Sequence, residues 1–425
     1  MYEFVNRIVR LLKKVVPEPV VRPLRPLYHR ALTFLMAASY GFPARKLIVI
    51  GVTGTKGKST VAEMVFQILR ASGKKTGLIS TIRFAIEDES EPNLYKMTLQ
   101  GRGFAQSFMR KALDAGCTHF VIEVTSESVL QFRNRFLDFN GLIVTNIQKE
   151  HIESHGSFEK YVAAKRAIVD TLVHSPKRPR ILVANGDISE TRDFLSAKVE
   201  RAIPFQQEDM RHVVADDESV RFTYGGTPFV LPLPGTFNAT NALAAVKLCE
   251  AFGIPLGTAA SALAKLPVVR GRVERIEEGQ DFIAVVDYAH TPDSLRALYS
   301  AFPHQRKICL LGNTGGGRDT WKRAEMGRIA DETCDKVILA NEDPYDEDPR
   351  AIVDAMAKGM KRAPEIIMDR REAIRHALSL AKTGDAVLIS GKGTDPYIMG
   401  PRGTKEPWSD ARVVREELGK MLGKL

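Results

Sequence analysis

A run of small, polar and basic residues at positions 51–60, Gly-Val-Thr-Gly-Thr-Lys-Gly-Lys-Ser-Thr, has the composition of a phosphate-binding loop. It follows an apolar stretch typical of a strand and precedes a helical pattern, so its backbone N–H groups would converge at a helix N-terminus. There Lys58 could neutralise phosphate oxygens and the Ser59 hydroxyl could bind Mg²⁺. Val52 takes the first glycine position of the strict Walker spacing. A glycine-rich turn without a ligand is the alternative, but the Lys–Ser pair before a helix favours nucleotide binding.

Two later segments carry groups that could act beside this loop. Glu123 ends the third predicted strand, and the carboxyl ends of parallel strands face one crevice, so its carboxylate could join Ser59 around Mg²⁺. His151 and His155 share one polar loop, which is consistent either with a metal site or with two solvated side chains. Lys165 lies on the helix that follows, and by itself it reads as a solvated surface lysine.

The elements that must position these groups alternate between short β-rich runs and helical segments, which is typical of a parallel sheet with crossover helices. The first set of predicted strands is 47–52, 76–80, 119–124, 142–145 and 180–184, followed by a hairpin-containing stretch at 201–233 and helices at 238–252 and 255–266. The second set is 282–286, 307–311, 336–340, 365–368 and 386–390. We therefore predict an α/β fold with a short segment 1–46 and domains at 47–266 and 267–425.

Composition agrees with a folded α/β protein, since 44% of the 425 residues are hydrophobic and 26% are charged. The net charge of +10 is concentrated in residues 1–46, where nine Lys and Arg residues face two Glu residues. A nucleic-acid partner is therefore not expected. The four cysteines form no C-x-x-C pair, and a reducing cytoplasm fits them best.

The basic start of the chain needs an explanation of its own. Residues 3–16 have helical spacing of apolar side chains with basic residues between them, so they predict an amphipathic helix. This helix could pack on the body of the protein or lie on an anionic membrane surface at the inner face. Four prolines between 17 and 26 are expected to interrupt regular structure before a second helix at 27–40. No apolar run is long enough to span a bilayer.

These motifs, in this order, resemble the Mur ligase family, and most closely its MurE type, which adds the third peptide residue of peptidoglycan precursors. The resemblance covers roughly residues 47–422, and the family's Gly-Thr-x-Gly-Lys-[Ser/Thr] loop corresponds to 54–59. It implies a P-loop central domain with a parallel-rich sheet and a Rossmann-like C-terminal domain. It also implies ATP-dependent ligation in the cytoplasm, in which a carboxylate becomes an acyl phosphate that an amino group displaces.

The resemblance assigns roles to particular residues. Lys58, Glu123, His151 and Lys165 would be catalytic; Ser59 and Glu123 would hold one Mg²⁺, and His151 and a carbamylated Lys165 a second. ATP would be bound by Gly54, Thr55, Lys56, Gly57, Lys58, Ser59, Thr60, Asn238, Asn241 and Arg272. The Asn238 amide could equally be an ordinary helix cap.

The substrate motifs match the MurE type only in part. Thr98, Thr125, Gln131 and Arg133 match contacts to a muramyl-peptide donor, whereas Glu127 replaces the family's His. For the incoming amino acid, the resemblance implies contacts with Arg318, Glu342, Asp343, Tyr345, Gly391 and Asp395. Tyr345 stands where diaminopimelate-adding members carry Arg, and Asp395 shortens the family's Glu, so the residues argue against diaminopimelate.

The start of the chain also departs from the family, because only about 46 residues precede the first strand, where MurE-type enzymes have a UDP-binding domain. We therefore expect UDP recognition to be altered, with residues 3–16 binding either the donor diphosphate or a membrane that carries a lipid-linked donor. Two other functions stay open: a folylpolyglutamate synthetase-like ligase and a nucleotide-binding scaffold. A MurT-type protein is disfavoured because the sequence has no four-cysteine zinc ribbon.

Overall fold

The structure, a computed structural model, describes residues 18–101, 103–150 and 155–424, with residues 18–28 described by backbone alone. The predicted amphipathic helix at 3–16 and the candidate ligand His151 lie outside these ranges. Two parallel-rich sheets, each covered by helices on both faces, form the described part of the chain. The predicted α/β class is therefore confirmed.

The first sheet has eight strands in the order β4-β3-β2-β5-β1-β6-β7-β8. Six of these strands run parallel, namely β2, β5, β1, β6, β7 and β8. The strands β3 and β4 form an antiparallel edge next to β2. The strands are β1 Ile48–Thr53, β2 Thr76–Ile79, β3 Arg83–Ile86, β4 Glu89–Pro92, β5 His119–Glu123, β6 Gly141–Val144, β7 Ile181–Asn185 and β8 Arg201–Phe205.

Helices cover both faces of this sheet, so its central strands are buried and almost continuously apolar. The helices of this part are α1 Glu18–Ser39, α2 Lys58–Ala71, α3 Phe104–Asp114, α4 Ser126–Leu130, α5 Phe158–Val173, α6 Ser189–Arg192, α7 Thr236–Ala251 and α8 Leu256–Ala264. Successive residues of β1 enter different cores: Val49 packs with α3 and α5, whereas Ile50 packs with α2, α7 and α8. A small antiparallel sheet of β9 Arg211–Ala215, β10 Val220–Tyr224 and β11 Thr227–Leu231 supports α8.

The second large sheet has the order β12-β13-β17-β14-β15-β16 and is parallel except for β12. Its elements are β12 Glu274–Arg275, β13 Ile283–Asp287, α9 Pro292–Ser300, β14 Lys307–Leu311, α10 Lys322–Thr333, β15 Lys336–Leu339, α11 Pro349–Ala357, β16 Glu365–Ile366, α12 Arg370–Ser379, β17 Ala386–Ser390 and α13 Asp410–Met421. A two-stranded ribbon, β18 Tyr397–Met399 with β19 Lys405–Pro407, completes it. Its two faces pack against α9 and α10 and against α12 and α13.

A disulfide and a buried ion pair link elements that pack around this second sheet. Cys309 of β14 forms a disulfide with Cys334 after α10, a pairing that the expectation of reduced cysteines did not include. The Asp410 carboxylate accepts from Arg370 Nε at 2.8 Å and pairs with Nη2 at 2.7 Å. The side chains of Arg370 and Asp410 are 1% and 0% exposed, so the pair is shielded from water.

The leading helix differs from its prediction. It runs continuously over Glu18–Ser39, through Pro19, Pro23 and Pro26, rather than beginning at residue 27. Proline is compatible with the first helical turn, where N–H groups have no intrahelical partner, but the later prolines were expected to interrupt the helix. No helix within 18–101, 103–150 and 155–424 is both long and apolar enough to cross a membrane.

An aromatic cluster attaches the end of α1 to the segment that follows α4. The Phe34 ring lies 5.9 Å from Phe42 and 5.8 Å from Phe136, centroid to centroid. Nearby, the Arg30 guanidinium lies over the Phe132 ring at 4.8 Å from its centroid. The helix therefore packs on the residues that flank Arg133.

Candidate active site

The predicted phosphate loop connects the end of β1 to the start of α2 at Lys58. Gly54 and Gly57 have φ values of +145° and +79°. A Cβ at Gly54 would lie 1.9 Å from Thr145 Oγ1, and a Cβ at Gly57 would lie 2.4 Å from Asn241 Oδ1. Glycine is required at both positions because the loop turns tightly and other chain segments approach it closely.

A hydroxyl and a carboxylate meet at the carboxyl end of the sheet. Ser59 Oγ donates a hydrogen bond to Glu123 Oε2 at 2.9 Å, and Thr81 N donates to the same oxygen at 2.9 Å. Both side chains are buried. Glu123 and Ser59 meet because β5 lies next to β1 in the parallel sheet. Oxygen donors of this kind suit Mg²⁺, so these residues fit the predicted metal role.

The Lys58 side chain folds back over the loop, and its Nζ donates to Thr55 O at 2.9 Å. Burial lowers the pKa of Lys58, while Glu123 and Glu150 oppose this shift. A cation held this close to the loop is available for phosphate oxygens.

Lys165 is buried rather than solvated, which corrects the interpretation from its residue type alone. Its side chain extends from α5 to the loop, where Nζ donates to Gly54 O at 2.8 Å and to Thr53 Oγ1 at 3.1 Å. Burial lowers the pKa of Lys165 well below its usual value, and the neighbouring Lys58 lowers it further. The fold thus shifts Lys165 towards the neutral amine relative to a lysine in water.

Glu150 connects the loop to the second sheet and was missed as a functional residue. Its Oε1 accepts from Lys56 Nζ at 2.9 Å and lies 2.9 Å from His290 Nε2. Burial lowers the pKa of His290 to about 4, with Lys56 contributing in the same direction. The sequence could have indicated Glu150 and His290 by their positions, because Glu150 follows β6 and His290 follows β13. Both therefore lie beyond the carboxyl ends of strands.

The residues predicted to lie near adenine occupy the start of α7 and the connection into the second sheet. Asn241 Nδ2 donates to Asn238 Oδ1 at 3.2 Å, and Asn238 Nδ2 donates to Pro234 O at 2.8 Å. Across the cavity the Arg272 guanidinium lies 4.5 Å from the centroid of the Tyr288 ring. The helix-cap alternative for Asn238 is wrong, because Gly235 is the N-cap of α7 and Asn238 lies inside the helix. Asn241 faces Gly57.

One cavity of about 920 Å³ joins these groups to the predicted donor residues and to Arg318. The predicted site residues that line it are Gly54, Thr55, Lys56, Gly57, Lys58, Ser59, Thr60, Thr98, Glu123, Thr125, Gln131, Arg133, Lys165, Asn238, Asn241, Arg272 and Arg318. Among the described side chains, no group of three or more His, Cys, Asp or Glu residues could hold a metal. The Ser59–Glu123 pair contains only one such residue.

The residues predicted to bind the donor all line this cavity. Thr98 Oγ1 lies 2.5 Å from Thr81 Oγ1, and the backbone N–H of Thr81 donates to Glu123. Arg133 donates to the Leu99 carbonyl, and Thr125 precedes α4. The structure therefore groups all four predicted donor residues around the cavity.

The predicted acceptor residues divide into two sets. Arg318 lines the cavity and lies over the Tyr345 ring at 5.1 Å from its centroid. Glu342, Asp343, Tyr345, Gly391 and Asp395 do not line it. Asp343 instead accepts from Lys392 Nζ at 2.8 Å and Lys96 Nζ at 2.6 Å, and Glu342 is buried against Gly391. Lys96 was not predicted to take part.

Comparison with known proteins identifies the family. Residues 52–249 match the Mur ligase middle domain, and residues 271–393 match the Mur ligase, glutamate ligase domain. The UDP-N-acetylmuramoyl-L-alanyl-D-glutamate--2,6-diaminopimelate ligase of Geobacillus kaustophilus is 36% identical over 388 residues, which are 87% of this chain and 78% of that protein. The UDP-N-acetylmuramyl-tripeptide synthetase of a Roseiflexus species is 36% identical over 434 residues, which are 96% of this chain and 85% of its own length.

A solved structure shows the same architecture. The folylpolyglutamate synthase of Mycobacterium tuberculosis complexed with ADP matches with a TM-score of 0.69 and 18% identity, covering 86% of this chain and 92% of that chain. At this identity the likeness shows a shared fold and does not favour a folate substrate. The sequence relatives carry the assignment: the chain belongs to the Mur ligase family and is an ATP-dependent, ADP-forming acid–amino-acid ligase of peptidoglycan precursor synthesis.

Proposed function

We propose that this chain joins the carboxylate of a muramyl-peptide donor to the amino group of an amino acid, in the manner of its MurE-type relatives. One observation supports this proposal: a single cavity of about 920 Å³ is lined by the phosphate loop, by the four proposed donor residues and by Arg318. Ligation by this route requires a nucleotide, a carboxylate and an amine in one water-poor site. A nucleotide-binding scaffold has no need of such a continuous cavity.

The reaction has two steps. A donor carboxylate oxygen attacks the γ-phosphorus of ATP, the bond to the β,γ-bridging oxygen breaks, and ADP leaves. The amino group of the acceptor, as a neutral amine, then attacks the acyl carbon; phosphate departs with the C–O bonding electrons and the nitrogen loses a proton. Lys58 would neutralise the oxygens of the transferred phosphoryl group, and Arg318 would hold the acceptor carboxylate.

Ser59 and Glu123 would hold Mg²⁺, which neutralises phosphate charge when bound. Their hydroxyl–carboxylate contact of 2.9 Å beside the phosphate loop supports this assignment. His151 and Lys165 are proposed to serve a second Mg²⁺, with Lys165 as a carbamate. For Lys165, the support is a buried amine with a lowered pKa, because only the neutral amine adds CO₂, releasing one proton as the carbamate forms.

The function is tested by measuring phosphate release from ATP and Mg²⁺ with a panel of amino acids, each with and without UDP-linked muramyl dipeptide. We expect turnover only when donor and acceptor are both present, with the ligated product identified by mass. A matched panel with a lipid-linked donor distinguishes the two possible carriers. ATP turnover without any ligated product in either panel would overturn the proposal.

The carbamate is tested separately by labelling the protein with ¹³CO₂ and recording its ¹³C NMR spectrum. We expect one carbamate signal that is absent from the Lys165→Gln variant and retained in Lys160→Gln, which changes a lysine on the same helix. A spectrum without a carbamate signal in an active enzyme would exclude this role for Lys165.

We also propose that residues 3–16 bind the inner membrane surface through their basic and apolar side chains. The support is compositional, because basic and apolar residues alternate at helical spacing in that segment. Flotation with anionic vesicles compares the full chain with one lacking residues 1–16. Equal flotation of both forms would refute membrane binding by this segment.

A further inference from the structure

Lys96 forms part of the wall between the cavity and two acidic side chains. Its Nζ lies 2.6 Å from Asp343 Oδ2 and 2.9 Å from Asp395 Oδ2, and it also donates to Tyr397 O at 3.5 Å. Lys96 lines the cavity, whereas neither Asp343 nor Asp395 does. The lysine therefore covers two carboxylates that would otherwise face the substrate space.

The cluster is electrically balanced without any ligand. Lys96 and Lys392 supply two positive charges against Asp343 and Asp395, and Lys392 Nζ lies 2.8 Å from Asp343 and 3.5 Å from Asp395. Asp343 also accepts from Met399 N at 2.8 Å. Burial by itself would lower the pKa of Lys96, but Asp395 and Asp343 together raise it above its usual value. The Lys96 ammonium is thus tightly held by carboxylates.

A third acid, Glu342, lies next to Asp343 in sequence. Glu342 is buried, and its Oε1 accepts from Thr314 Oγ1 at 2.9 Å. Burial raises the pKa of Glu342, and the charge on Asp343 raises it further. Glu342 is thus paired with Thr314, whereas Asp343 and Asp395 are the acids that contact the Lys96 ammonium.

The position of this cluster relates it to the acceptor. Arg318, the cavity-lining guanidinium proposed to hold the acceptor carboxylate, lies over Tyr345, two residues from Asp343. Arg318 and Lys96 line the same cavity, so an amino acid held by its carboxylate at Arg318 has Lys96 among the residues available to its side chain. Two carboxylates around one ammonium are also the arrangement that would bind a distal ammonium of a diamino acid.

We propose that Lys96 determines acceptor specificity: its ammonium fills the subsite that Asp343 and Asp395 would offer to a cationic side chain, so the enzyme selects an amino acid with a neutral side chain. This inference rests on the proposed function. Removing the lysine charge leaves the cluster with an excess negative charge, which the distal ammonium of a diamino acid would neutralise. Lys96 is therefore a residue that restricts the reaction to one class of acceptor.

The test compares the wild type with Lys96→Met, which keeps most of the apolar stem but removes the charge. Ligation is measured with glycine, alanine, serine, ornithine and lysine at saturating ATP and donor. In Lys96→Met we expect the ratio of kcat/KM for lysine to that for alanine to rise at least about tenfold, through a lower KM for lysine. Lys96→Arg keeps the positive charge and should retain the wild-type ratio.

The matched control is Arg275→Met, because Arg275 also links the two parts of the chain through an ion pair of 3.7 Å with Asp217 but lies outside the cavity lining. It should leave the ratio unchanged. A purely structural role for Lys96 would lower kcat/KM for every acceptor equally. That result, or a wild type that uses lysine as well as alanine, would overturn the proposal.

Calorimetric binding of lysine and alanine in the presence of a non-hydrolysable ATP analogue tests the inference without turnover. Lysine should bind Lys96→Met more tightly than the wild type, and alanine should bind both alike. If Lys96→Met does not fold, Lys96→Gln serves in its place. Absence of product with every acceptor would refute the proposed function, while the calorimetric comparison would still decide the role of Lys96.

Discussion

Acidification should destabilise this protein partly through His290. The pKa of His290 is lowered to about 4 in the folded chain, mainly by burial, whereas an unfolded histidine has a pKa near 6.5. The unfolded state therefore binds more protons between these values, and stability falls as the pH decreases. From pH 7 to pH 5 the two pKa values correspond to a loss of about 2 kcal/mol in the free energy of unfolding.

The perturbation that isolates this contribution is His290→Gln, because glutamine does not titrate and can still donate to Glu150. Urea denaturation at pH 7 and pH 5 measures the free energy of unfolding for both proteins. The variant should lose about 2 kcal/mol less than the wild type on acidification. His304→Gln, which changes an exposed histidine, is the control and should follow the wild-type curve.

The reasoning is refuted if His290→Gln and the wild type lose the same stability between pH 7 and pH 5. If the variant lost more stability on acidification than the wild type, the contribution of His290 would have the opposite sign. That result would require His290 to be charged in the folded protein. Equal urea dependence of the free energy in both proteins ensures that the comparison concerns the same unfolding transition.

Three further outcomes follow from buried or loop residues. Lys58→Met should reduce kcat for donor-dependent phosphate release by roughly 100- to 1,000-fold without altering the circular dichroism spectrum, and near-wild-type turnover would contradict its phosphate role. Glu123→Gln should raise the Mg²⁺ concentration for half-maximal turnover at least about tenfold, and an unchanged Mg²⁺ titration would exclude Glu123 as a ligand. Asp410→Asn should lower the free energy of unfolding by about 3–5 kcal/mol because Arg370 stays buried without its charged partner. Glu332→Gln, at a half-exposed helix pair, should change it by no more than about 1 kcal/mol in the same denaturation experiment, and similar losses in both variants would contradict the burial argument.

Much of the fold could be predicted from short apolar runs in the sequence. Helices cover both faces of the two large sheets, so their buried strands are almost continuously apolar. The predicted strands 307–311 and 386–390 agree with β14 and β17, and the other predicted strands agree with parallel strands within about two residues. The parallel strand β8 was assigned to the hairpin-containing stretch 201–233 instead. The exposed edge strand β4 and the ribbon of β18 and β19 were missed, since their residues show no apolar alternation. The domain boundary between 266 and 267 stays a prediction.

The site residues that belong to a recognisable motif could be predicted from the sequence. Residues whose chemical state depends on burial were harder to predict. The loop and Glu123 could be placed from strand order, because carboxyl ends of neighbouring parallel strands meet. The buried state of Lys165 could not, since it depends on how α5 packs against the loop. Lys96 was missed for a related reason: its partners Asp343 and Asp395 are about 250 to 300 residues away in sequence.

The aromatic cluster at the end of α1 attaches the leading helix beside Arg133, a residue proposed to bind the donor. Arg30 and Phe34 contact Phe132 and Phe136, and Arg133 lies between those two rings in sequence. A chain shortened beyond this contact would therefore behave like a donor-site variant, with weaker donor affinity and normal nucleotide affinity. Changes in a helix that touches no reactant can in this way appear in kinetics as changes in substrate recognition.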